Sequence, residues 1–155
     1  MDEAFATGAA APTVTTNPAT GLSSTGAMLN GTVNPNNDSA TVTFEYGLTV
    51  AYGSTASATE SPITGTAGTS VSAGLTGLTP NTTYHFRVSA TNSTGTTGGL
   101  DGTFTTLPAP PVVTTNPASG ITSSGATLNG TVNANNGSTT VTFEYGLTVS
   151  YGSSM

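Results

Sequence analysis

The sequence predicts an all-β protein: one complete β-sandwich of seven strands, followed by the opening part of a second. Three observations carry this prediction. Short segments rich in Val, Thr, Phe and Tyr alternate inward and outward residues with period two. Clusters of Gly, Pro, Asn and Asp interrupt them at the spacing of about 8–12 residues that sandwich turns show. The chain also repeats itself: residues 14–55 and 113–154 align without a gap at a period of 99, and 32 of 42 positions are identical. No window combines helical periodicity with a capping signal.

Taken in order, residues 1–12 (MDEAFATGAAAP) read as an extension with neither the basic segment nor the apolar core of an intact signal peptide. Residues 13–16 are the first strand candidate. Residues 28–33 place Leu29 and Val33 on one face, and residues 41–46 do the same for Val42, Phe44 and Tyr46. Residues 50–54 and 71–75 are shorter candidates. Residues 84–90 alternate cleanly, with Tyr84, Phe86, Val88 and Ala90 on one face, and residues 102–106 close the module. Breakers lie between them at 34–38, 64–68 and 92–95. The complete module is thus 13–106. Residues 107–111 (LPAPP) form a Pro-rich linker whose preferred polyproline II conformation makes it a semi-rigid spacer. The partial module is 112–155, matching strands A, B, C and the start of C′.

Composition narrows function by exclusion. Only 5% of the 155 residues are charged, against about 25% in an average domain, and the formal net charge is −6. Arg87 is the single basic residue, so phosphate neutralisation and attraction to anionic membrane surfaces are both excluded. No apolar run approaches the ~20 residues that span a bilayer. Without Cys there are no disulfides, thiolate metal sites or thiol nucleophiles. Leu, Ile, Val and Phe sum to only 27 residues, but disorder also demands a high net charge, and the strand pattern decides against it. Thr and Ser supply 52 residues and Gly 20; with so little charge, this composition points to an extracellular or cell-surface protein.

Residues 78–88, LTPNTTYHFRV, followed by Ala90, Asn92 and Gly95, resemble the E–F corner and F strand of fibronectin type III domains, which have an immunoglobulin-like sandwich fold. The resemblance implies that Leu78 plugs the core below the turn, Pro80 starts the turn, and the Tyr84 hydroxyl bonds back to the backbone as a tyrosine corner. GTVNPNN, FEYG and YGST further resemble the tandem form of the family found in bacterial surface and secreted proteins. The likeness covers 13–106 and part of 112–155. The chain departs from the family in carrying Leu29 where many members have a buried Trp, and it lacks the adhesive Arg-Gly-Asp loop.

Candidate chemistry is sparse. His85 is the only imidazole, and with Tyr84 and Phe86 inward it points outward, a structural rather than catalytic position. Glu45 and Arg87 point outward from strands C and F, which the resemblance makes neighbours, and are expected to form a cross-strand ion pair. Asp38 and Asp101 stand isolated in sequence, and Gly137 replaces Asp38 in the second copy. No calcium-loop spacing or paired acid and nucleophile emerges. Sequons at Asn30, Asn37, Asn81, Asn92, Asn129 and Asn136 are expected by chance in so Ser/Thr-rich a chain. Tyr46, Tyr52, Tyr145 and Tyr151 have the chemistry to stack on sugars, although Tyr46 is in phase with the core. The expectation is therefore no catalytic residue, no cofactor, no metal, and a carbohydrate partner unsupported by any motif.

The function expected is that of a non-enzymatic structural or adhesive repeat module. The rival readings are a spacer module of a secreted polysaccharide-degrading enzyme and a phage virion decoration protein. Residues 112–155 lack counterparts of E, F and G, so Leu128, Val132, Val141, Phe143 and Tyr145 face no second layer. They are the candidate inter-chain assembly surface, with the chain itself, or neighbouring modules of the same array, as partner. On that reading residues 1–111 are monomeric and the 155-residue chain forms concentration-dependent oligomers or a filament.

Overall fold

The computed structural model describes residues 8–155; residues 1–7 of the predicted extension lie outside them. The chain divides into two units, Met1–Leu107 and Pro108–Met155. The first contains β1 (Thr13–Thr20), β2 (Gly26–Asn34), β3 (Asp38–Gly47), β4 (Ser54–Ser57), β5 (Ile63–Gly65), β6 (Thr69–Thr76), β7 (Thr83–Thr91), β8 (Thr96–Gly98) and β9 (Gly102–Thr105). One sheet runs β1-β2-β6. The other is built on β3 paired with β7; β4 and β5 share the outer edge of β3, and β8 and β9 share that of β7. The two layers form an antiparallel β-sandwich; six of the seven predicted strands recur, and the short segments β4, β5, which runs into the predicted breaker at 64–68, and β8 are added along the interrupted edges of the second sheet.

Alternation sets the core. Leu29 and Val33 from β2, Val42 and Phe44 from β3, Val71, Ala73 and Leu75 from β6, and Tyr84, Phe86, Val88 and Ala90 from β7 are all buried. Ala27, Ala40, Ala58, Ile63, Leu78 and Phe104 complete it. Tyr46, expected in the core, is half-buried and only packs against it. Pro12 is fully buried, and Asn36 Nδ2 donates to the Ala11 carbonyl at 2.6 Å. The end of the predicted extension therefore belongs to the module.

The expected strand at 50–54 is instead a turn. Tyr52 takes a left-handed φ of 57°, its N–H bonds to Thr49 O at 2.9 Å, and Leu48 and Val50 are left 63% and 65% exposed. Gly47 is required there, because a Cβ would collide with the Tyr52 backbone. The apolar residues of GLTVAYG thus mimic a strand while their backbone bonds close a loop. Strand pairing resumes at β4. Beyond it the chain steps from one sheet to the other: Ala58 N bonds to Val42 O at 3.0 Å and Thr59 N to Ser72 O at 2.8 Å. Glu60 accepts from the Ser72 N–H and hydroxyl, which occupies the outer edge of β6 that an unpaired strand would otherwise offer.

In the second unit, β10 (Val112–Ser119) pairs with β11 (Thr127–Asn133), and β12 (Glu144–Tyr145) with β13 (Ser153–Ser154). The β10–β11 hairpin repeats β1–β2 down to its register break, 116/119 against 17/20. Asn30 Nδ2 stitches the first break to Pro18 O at 2.9 Å, and Asn129 Nδ2 stitches the second to Pro117 O at 2.9 Å. Strand C, predicted at full length, is reduced to β12. In the first unit residues 41–47 pair with β7 and 38–40 with β5; without such partners residues 137–142 join no ladder, and only Phe143, bonded to Met155 through both its N–H and its C=O, extends the β12–β13 pairing.

Candidate functional site

Three features of the first unit bring polar groups together, and the second unit presents an apolar one. The polar patch lies on the outer face of β3 and β7. Opposed registers place Glu45 across from Arg87, and Arg87 Nε donates to Glu45 Oε2. This bond is the first cause of a guanidinium pKa raised above its ordinary value. The Arg87 Cζ also lies 4.9 Å from the centroid of the Tyr52 ring. Tyr52 Oη donates to Asp101 Oδ1 at 3.1 Å, and desolvation, then this carboxylate, pushes the phenol pKa up. Asp101 Oδ2 lies 2.8 Å from His85 Nδ1. The chain's only Arg and only His therefore share one network with Asp101, which the sequence had presented as isolated. The network ties the 48–53 turn and the 99–101 break to the sheet.

Chemically the patch is self-satisfied. A groove of about 300 Å³ runs between Glu45, Arg87, Tyr52 and residues 53–55. Among the described residues no group of His, Asp and Glu has metal-site geometry. His85 makes its side-chain bond to a carboxylate, and among the described residues no hydroxyl nucleophile is hydrogen-bonded to it. The side chains of the ion pair are 38% and 29% exposed, so a double-mutant cycle on Glu45 and Arg87 should return a coupling of about 0.2–1 kcal/mol, read from urea unfolding midpoints.

The second feature is the turn entering β7. Leu78 is buried and Pro80 half-buried, Asn81 is left-handed at φ 49°, and Thr79 N–H donates to Tyr84 Oη at 3.0 Å. A residue unmarked in the sequence locks this corner. Thr106, 2% exposed, donates to Thr79 O at 2.7 Å and accepts from Thr82 N–H at 3.0 Å. The isosteric change Thr106→Val strands both groups and should cost about 1–3 kcal/mol, whereas Tyr84→Phe, which removes one acceptor, should cost about 0.5–1.5 kcal/mol.

The third is Asp38, which accepts from the Ser93 hydroxyl and the Ser93 N–H, joining β3 to the β7–β8 turn. Those bonds, side chain first and backbone second, hold its carboxyl below the ordinary value. The Ser72 N–H does the same for Glu60. Both carboxyls bind protons more weakly in the folded state. Their contribution is present above the unfolded pKa values of about 3.9 and 4.3 and is lost as pH falls through the lower folded values. Melting temperature should drop between pH 5 and pH 2, and less so in an Asp38→Asn, Glu60→Gln variant.

The second unit shows the same residues without their cover. Leu29, Val33, Val42 and Phe44 are each 0% exposed. Their counterparts Leu128, Val132 and Phe143 are half-buried, while Val141 and Tyr145 are 51% and 47% exposed. A Cβ placed on Gly31 would meet Val88 of β7 at 3.1 Å; one placed on Gly130 would meet the Phe143 ring at 3.3 Å. Phe143 thus lies where a β7 side chain lies in the first unit. Glu144, the only charged side chain of the unit, lines a groove of about 210 Å³ with Tyr151 and residues 150–154.

No family model matches the chain, and no curated protein matches it. Among solved structures, the chain is similar to the sensor domain of the anti-sigma factor RsgI4 in Pseudobacteroides cellulosolvens. The short form is 25% identical, covering 62% of this chain and 94% of that one, with a TM-score of 0.48. The long form is also 25% identical, covering 62% and 89%, with a TM-score of 0.38. A computationally redesigned β-sandwich protein is 28% identical over 63% and 95%, with a TM-score of 0.42. The sandwich assignment rests on the strand pairing described above.

Proposed function

We propose that the chain is a non-enzymatic structural repeat of the fibronectin type III kind, a module of a tandem array in a bacterial cell-surface or secreted protein. The observation that carries this reading is the 99-residue repeat, in which 32 of 42 aligned residues are identical. The identities include the core positions Leu29, Val33, Val42 and Phe44, the bulge-stitching Asn30, and the turn residues Gly47 and Tyr52. Asp38, by contrast, is not repeated. A nearly uncharged surface of Thr, Ser and Gly suits an extracellular position and close packing of neighbours, the packing on which an adhesive role draws. No helix among the described residues is long and apolar enough to cross a membrane.

The partners proposed are neighbouring modules of the same array. Filament growth by exchanging halves between identical copies has no net drive, because these 155 residues hold two first halves and one second half. Each exchange uncovers as much apolar surface as it covers. The test is to incubate the protein with cellulose, chitin, xylan and chromogenic ester and glycoside substrates. The reading predicts no turnover above buffer; turnover that disappears in His85→Ala while the fold persists overturns it.

A further inference from the structure

We propose that the open face of the second unit, formed by Leu128, Val132, Val141 and Phe143, is a docking site for a polypeptide segment of the kind found at residues 69–106. The proposal rests on the repeat reading above and deepens it by naming the partner.

The first unit shows what covers this face. There β2 is paired on one side with β1 and on the other with β6, and β3 is paired with β7. In the second unit β11 has only β10 as a neighbour, and β12 only β13. The edges left open are those that β6 and β7 fill in the first unit. The apolar residues along them are identical: Leu128 for Leu29, Val132 for Val33, Val141 for Val42 and Phe143 for Phe44. A segment alternating as Val71, Ala73, Leu75 and then Tyr84, Phe86, Val88, Ala90 therefore meets the same surface it buries in the first unit.

Charge selects the same partner. Glu144 stands at the position where Glu45 accepts from Arg87, and a docked β7-like strand brings a guanidinium to it. Docking requires one local change. The Phe143 ring must leave Gly130, so that a residue in the place of Val88 takes its site and residues 139–143 straighten into a strand. The chain's own second half stays in the first unit. Asp38, which bonds Ser93 there, is Gly137 in the second. Ala40, 0% exposed in the core, is Thr139. Both changes weaken the second site relative to the first, so residues 69–106 stay in the first unit and the second site takes a further segment of that kind.

The test uses the full 155-residue chain and, as probe, residues 69–106 fused to a soluble carrier, with the carrier alone as control. The expected result is a one-to-one complex by sedimentation and at least tenfold slower amide exchange over residues 127–145. Val132→Asp, at a half-buried position, should weaken binding at least tenfold while leaving exchange in the first unit unchanged. Arg87→Ala in the probe should weaken it severalfold. No protection of 127–145 at saturating probe overturns the proposal, as does protection confined to residues 13–57, which means exchange into the first unit. Dimers of the chain alone that Val132→Asp abolishes also overturn it, since the occupant is then the same face of a second copy. None of these failures produces turnover, so they are distinguishable from failure of the array reading.

Discussion

Replacing Phe44 with Ala is expected to cost the first module about 3–5 kcal/mol, while the same replacement at Phe143 changes the unfolding of the chain by less than about 0.5 kcal/mol. The two residues share their sequence context, VTFEYGLTV, without a difference. They differ only in what covers them. Phe44 is 0% exposed between two sheets, so its removal forfeits the transfer of an aromatic ring from water and leaves a cavity. Phe143 rests against one hairpin with its other side open, and there is no second layer from which a cavity can form. Urea unfolding of the full chain followed by circular dichroism measures both. Comparable shifts for the two variants contradict the account, because they require an equally buried Phe143.

The second large effect is at Phe86. Its ring is 1% exposed, packs edge-on against Phe104 at 5.8 Å between centroids, and lies against Gly102, where a Cβ would come within 3.1 Å of it. Phe86→Ala should cost about 3–5 kcal/mol, a large part of the ~5–15 kcal/mol by which whole domains are stable. His85→Ala, one residue away on the outer face, should change stability by less than about 0.5 kcal/mol. It removes a single half-exposed contact to Asp101, whose side chain is 33% exposed. Thermal melts of the two variants side by side measure the contrast between the two faces of β7.

These two residues illustrate how much was legible. Period-two alternation placed Phe86 inward and His85 outward from adjacent letters, because a strand's faces are set by its covalent geometry. Simple alignment likewise showed that residues 113–154 repeat residues 14–55. What alternation does not encode is backbone that turns while its side chains remain apolar. Leu48 and Val50 read as strand residues, yet the left-handed Tyr52 and the close approach to Gly47 make them a turn. That turn recurs at Tyr151, with φ 52° and a bond from its N–H to Thr148 O at 3.0 Å, although no second sheet is there to impose it. It is a local preference of the sequence.

Long-range polar chemistry was the least legible. Tyr52 and Asp101 are 49 residues apart in sequence, and only the meeting of the turn after β3 with the break before β9 joins them. Thr106 carried no signal either, since one Thr among so many looks like surface until its hydroxyl is seen bonded to Thr79 and Thr82. The small core residues Ala40 and Ala73 were equally quiet, whereas Ala90 was placed by its phase with Tyr84, Phe86 and Val88. Alanine marks a buried position only when the opposing layer is known.

Amide hydrogen exchange of the free 155-residue chain tests the central claim most directly: a complete sandwich and an uncovered copy of its first half coexist in one polypeptide. Strands β2, β3 and β7 should exchange only through global unfolding of the first unit, whereas the aligned residues 127–145 should exchange by low-energy local opening, faster by several powers of ten. Protection of residues 127–145 equal to that of residues 28–46 in the isolated chain would contradict the account.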